Sequence, residues 1–99
     1  MPRFAVYHRV VGDRFTPFES AGFRLAATVE APCLEATFQI CNSIDGPWTE
    51  NEEVLRVTTD FPRSLSVGDA VVDEEEYVHE VLSIGWGKRD PQRELPFVP

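Results

Sequence analysis

The spacing of apolar side chains changes once, sharply, between residues 23 and 41, and that change limits the fold more than any other feature. Phe23, Leu25, Ala27 and Val29 alternate with Arg24, Ala26, Thr28 and Glu30, the period of a half-buried strand. Directly afterwards Leu34, Phe38 and Cys41, with Thr37, fall at i, i+4 and i+7, the stripe of an amphipathic helix. Pro32 suits the first helical turn, where its missing N–H has no intrahelical partner to lose. Asn42-Ser43 and then Asp45-Gly46-Pro47 end the pattern, which predicts a helix over 32–41. A lone helical stripe has to be buried against something, and every other apolar pattern in the chain is strand-like.

Residues 4–11 are rich in strand formers and stop at Gly12-Asp13, a turn signal. With 13–22 as a loop, they pair with the 23–30 strand as a wide hairpin. A short strand is expected over 52–59, with Val54 and either Leu55 or Val57 inward, before Phe61-Pro62 breaks it. Gly68-Asp69 then makes a turn between the apolar pieces of 64–72, where glycine supplies a positive φ and aspartate bonds the local backbone. Residues 73–76 read as a polar hairpin tip. The longest strand is expected over 77–86, with Val78, Leu82, Ile84 and Trp86 on one face and Glu80 as the exception. Pro91, Pro96 and Pro99 mark 87–99 as an extended tail. The sum is an α+β fold: an antiparallel sheet of four or five strands, in one domain over 1–99, with one covering helix. A strongly bent sheet or small half-barrel satisfies the same pattern.

Charge narrows the function classes. Seventeen acids against nine bases give a net charge of −8, and between Glu30 and Gly87 only Arg56 and Arg63 are basic. Nucleic acid is therefore not the expected partner, since a phosphate footprint needs a basic face. The candidate partner surface is acidic: Glu50, Glu52, Glu53, Asp73, Glu74, Glu75 and Glu76. Charge runs of this kind also serve plain solvation. Phe15 and Phe18, in the 13–22 loop, join the candidate surface because they either close the core or touch a partner. No apolar run approaches the roughly 20 residues of a membrane span, and Met1-Pro2-Arg3-Phe4-Ala5-Val6 lacks a signal-peptide core, so a cytoplasmic protein is expected.

No reacting constellation stands out. Cys33 and Cys41, eight apart on one helix, would lie about 12 Å apart, beyond disulfide reach, and are read as reduced, half-buried thiols. Neither belongs to a C-x-x-C pair. His8 and His79 fall within strands, no G-x-S-x-G elbow is present, and Ser64 and Ser66 have no histidine nearby in sequence. His and Cys spacings do not match a metal site, and 73–76 lacks the Asp-x-Asp-x-Asp-Gly pattern of a calcium loop. No phosphate-binding glycine motif occurs. No catalytic, metal or cofactor residue is assigned, no cofactor is expected, and the chain is read as no enzyme.

Three stretches carry a resemblance. Leu34-Glu35-Ala36-Thr37-Phe38-Gln39-Ile40-Cys41-Asn42, then Arg63-Ser64-Leu65-Ser66-Val67-Gly68-Asp69-Ala70-Val71-Val72, then Tyr77 and Ile84-Gly85-Trp86 resemble the YodL-type domain of bacterial plasmids, mobile elements and phage-associated polyproteins. The similarity covers 34–86 and departs at Gly68, in the 44–62 insert and at Trp86. That family is functionally uncharacterised, so the resemblance implies a mobile-element setting and carries over no functional residue. The expectation is a small acidic binding module acting through protein contacts. The alternatives are an acidic DNA mimic directed against restriction or defence, and a small-barrel nucleic-acid binder.

Overall fold

In the computed structural model, which describes residues 2–11, 21–42, 47–58 and 63–91, β1 (Arg3–Val11) and β2 (Gly22–Glu30) form the long antiparallel ladder that organises the sheet. The remaining elements are α1 (Leu34–Ile40), a 3₁₀ turn (Trp48–Glu50), β3 (Val54–Val57), β4 (Ala70–Val72), β5 (Tyr77–Val81) and β6 (Trp86–Pro91). All pairings are antiparallel, in the order β3-β2-β1-β4-β5-β6. The fold is α+β as expected, with six strands rather than four or five. The sheet is open, with β3 and β6 as its edges.

The period-2 reading of β2 holds locally and fails across the strand. Val6 faces Ala27 but Tyr7 faces Leu25, so Ala26 is an extra residue, a bulge that turns the pleat over. Ala27 and Val29 consequently join Phe4, Val6, Val71, Val81 and Leu65 on the face that carries α1. Phe23 instead joins Ala21, Ala70, Val72 and Val78 in a second cluster, with Ala5 and Tyr7 packed against it. Phe23 is thus separated from Ala27 and Val29, with which it was expected to share one face, and half-buried Leu25 belongs to neither core.

α1 is shorter than the sequence stripe suggests. It begins at Leu34, capped by the extended Cys33, so Pro32 precedes the helix instead of occupying its first turn. The stripe itself is as expected: Thr37 and Cys41 are buried, while Leu34 and Phe38 pack on the core cluster. The two cysteines flank opposite ends of the helix; Cys33 is exposed and Cys41 buried, rather than both half-buried.

The C-terminal third departs most from expectation. The strand expected over 77–86 stops at Val81, and residues 82–85 form a turn in which Leu82 N–H bonds Gly85 O at 3.2 Å and Gly85 has φ +73. Leu82 and Ile84 are exposed rather than inward, and Ile84 is 90% accessible. The chain then returns as β6, so residues 87–91 belong to the sheet and not to a tail. In β3, Val54 packs on the core as expected, but Leu55 and Val57 are both exposed, because Leu55 is the extra residue of a second bulge. Such a bulge blunts an edge strand against further pairing.

Candidate functional site

Strand direction decides what lies at each end of the sheet. Glu52 and Glu53 lead into β3, β2 ends at Glu30, β1 begins at Arg3, β4 ends before Asp73, and β5 starts after Glu76. Pairing confirms the alignment: Arg3 lies opposite Glu30, Glu30 N–H bonds Glu53 O at 2.8 Å, and Ala5 faces Val72. Neighbouring strands are about 4.8 Å apart, so seven carboxylates from distant parts of the chain share one sheet end. Among the described residues two bases stand at this end: Arg89 of β6, placed opposite Val78 by the register, and Arg3, which lies 3.8 Å from Glu30 while remaining mostly exposed. A surface pair of that length contributes little and leaves the end strongly negative.

Six of the expected surface residues, Glu52, Glu53, Asp73, Glu74, Glu75 and Glu76, are therefore brought together. Glu50 ends the 3₁₀ turn, two residues before Glu52, and lines neither depression at this end. Phe15 and Phe18 lie outside the described residues.

A groove of 310 Å³ opens at the acidic end. Pro2, Phe4 and Leu34 give it an apolar floor, and Asp73, Glu74, Glu75 and His79 rim it. The rim is held by Asp73. Its Oδ1 accepts the Glu75 and Tyr77 amides at 2.9 and 3.0 Å, and Oδ2 accepts from His79 Nε2 at 2.8 Å. Partial burial pushes the Asp73 carboxyl up, but the His79 hydrogen bond, the two amides and the nearby imidazole charge outweigh it and hold the pKa low. A second depression of 250 Å³, lined by Glu30, Glu52, Glu53 and Leu55, continues the acidic end beside β3.

His79 with Asp73 forms two-thirds of a nucleophilic relay. Among the described side chains the groove lining holds no Ser, Thr, Cys or Lys beside this pair, and the Asp73 carboxylate orients the imidazole. Among the described residues no three His, Cys, Asp or Glu side chains converge as metal ligands.

The opposite end of the sheet has the reverse character. Val10 and Val11 finish β1, Val67 sits in the turn before β4, and Leu82 and Ile84 sit in the turn after β5; all five are exposed. Beneath them lies a polar cluster that sequence reading missed. Arg63 grips Asp69 with both guanidinium nitrogens, at 2.6 and 2.7 Å, and the Asp69 carboxylate, 1% exposed, also accepts the Arg9 and Ser66 amides. The Asp69 hydrogen bond is the largest influence on Arg63, raising its pKa against the opposing effect of burial. The only signal in sequence was Asp69 as a turn residue, since its partner Arg9 lies 60 positions away.

With Arg9 Nε bonded to Gly68 O and Arg63 clamped on Asp69, two of the bases needed for a nucleic-acid face are engaged internally. Among the described residues no helix is long and apolar enough to cross a membrane. Comparison of the chain with protein-family models, with curated proteins and with solved structures returns no match.

Proposed function

We propose that this chain is a non-enzymatic binding module whose acidic sheet end docks a basic segment of a protein partner. The observation that carries the reading is topological: four strand ends deliver carboxylates to one end of the sheet. There Asp73, Glu74 and Glu75 rim a groove with an apolar floor, and Glu30, Glu52 and Glu53 line a second depression. Lysine and arginine have that same division, an apolar stem and a cationic head. Phe4 and Leu34 suit the stem, and Glu74 and Glu75 suit the head. A DNA-mimic version shares the surface and differs in its partner, a protein that normally grips duplex DNA. The mobile-element setting implied by the resemblance over 34–86 accommodates either version.

Binding of synthetic peptides, one rich in Arg and Lys and one of matched length rich in Asp and Glu, tests the reading. The basic peptide should bind and lose about tenfold in affinity from low salt to about 0.5 M, because exposed charges are screened over a shortening Debye length. Changing Glu52, Glu53, Glu74, Glu75 and Glu76 together to Gln should abolish that binding. Asp73 is left intact because its carboxylate organises the hairpin. Equal binding of both peptides, or survival in the quintuple variant, would refute the proposal. Displacement of a basic DNA-binding protein from duplex DNA would single out the mimic version.

A further inference from the structure

Segment 63–69 crosses the apolar end of the sheet. Its C-terminal end joins the β4–β5 ladder through Gly68 N–H to Val81 O at 2.8 Å and Val81 N–H to Asp69 O at 2.9 Å, while residues 63–67 are held by a small set of side-chain and backbone bonds. Leu65, 2% exposed, plugs the core, and its N–H bonds Cys41 O at 3.3 Å. The Arg63 carbonyl accepts from Trp48 Nε1 at 3.0 Å, and the Arg63 and Asp69 side chains tie the two ends of the segment to each other and to Arg9. Against this segment stands His8, 5% exposed, its ring edge-on to Trp48 at 6.4 Å. Its Nε2 is buried with no hydrogen-bond partner. A buried polar atom without a partner asks for an explanation, because satisfaction is the rule.

We infer that segment 63–69 is a pH-gated strap, latched by neutral His8 and released when His8 takes up a proton. In the neutral ring Nε2 carries only a lone pair, which tolerates an apolar wall. Protonation creates a second N–H with no acceptor and places a cation close to the Arg63 guanidinium. Of the groups facing His8, Arg63 opposes its charge and Asp69 favours it; Trp48 from the 3₁₀ turn is uncharged. Its register partner on β2, Arg24, is exposed, and the neighbouring Arg9 guanidinium lies over Phe23. Burial first, then Arg63, lowers the His8 pKa, outweighing Asp69 and a backbone hydrogen bond with Arg63. Release of the strap relieves both the missing acceptor and the repulsion. Opening of this kind is local, leaving the β1–β4 pairs from Ala5–Val72 to Tyr7–Ala70 in place.

The sign follows from proton linkage. A histidine with a lowered folded pKa keeps the strap closed above its unfolded value near 6.5, and closure weakens as pH falls from there toward the folded pKa. Buried Cys41, whose carbonyl accepts the Leu65 amide and which shares a core cluster with Leu65, reports opening, and exposed Cys33 serves as internal reference. With a neutral aromatic disulfide reagent, the Cys41-to-Cys33 labelling ratio should rise by up to about tenfold per pH unit in that window. The Trp48 indole N–H resonance should move with the same midpoint as the His8 ring, while the Ala5–Tyr7 amides stay protected. His8→Gln should flatten the labelling profile and His79→Asn should not. If His8→Gln does not fold, the wild-type resonances decide. A flat ratio while His8 titrates would overturn the inference, as would loss of β1–β4 amide protection at the same pH, which would mean global unfolding.

Discussion

Two glycines with positive φ separate backbone strain from crowding. Gly68 has φ +94, and a Cβ built there meets Arg9 Nε at 3.2 Å and Cζ at 3.3 Å, on the side chain that bonds Gly68 O. Gly85 has φ +73, with nothing within 4 Å of an added Cβ. Left-handed backbone costs a non-glycine residue roughly 1–2 kcal/mol, so Gly85→Ala should lose about that much. Gly68→Val should lose more, about 3 kcal/mol, because strain is joined by displacement of Arg9 beside the Arg63–Asp69 clamp. Urea titration of both variants measures the difference; equal losses would show that Arg9 yields freely. Gly68 in a turn with a bonding aspartate was legible, since turn chemistry is local. The ion pair that Asp69 forms was not, because no local rule brings Arg9 and Arg63 to it.

Elements were legible where pattern and environment agree. α1 follows from Leu34, Phe38 and Cys41, and the β4–β5 hairpin tip from the acid run at 73–76. β2 shows the limit: alternation continues unbroken in sequence through Ala26, while the bulge there reassigns Phe23 to the other core. A bulge has no compositional mark when the extra residue is a small alanine. β6 escaped notice because Gly87-Lys88-Arg89-Asp90-Pro91 has neither alternation nor strand formers, and pairing with β5 makes it a strand. The β4–β5 hairpin carries a pH signature of its own. Asp73 has a lowered folded pKa, so its bonds stabilise the hairpin above the usual carboxylate value of about 3.9, and that contribution disappears as pH falls through the folded value. Thermal melting of Asp73→Asn should lie below wild type near neutral pH, with the gap closing below about pH 3.9. A gap that persists unchanged into strong acid would place the stabilisation elsewhere.

At the scale of the whole molecule, the sheet is polar along its strands, carboxylates at one end and exposed aliphatics at the other. Sequence reading located the acids and proposed them as a surface, but only the strand order puts Glu52 and Glu53 at the same sheet end as the 73–76 tip. Seven carboxylates are thereby gathered at one end, the arrangement by which an acidic surface steers a basic partner. The two ends differ in chemical character, and amide chemical-shift mapping with an Arg- and Lys-rich peptide shows which of them the peptide contacts. The expected result is perturbation confined to Glu30, residues 52–55 and residues 73–79, lost on adding salt. Perturbation centred on Val10, Val67 and Ile84 instead would contradict the assignment of the acidic end as the binding face.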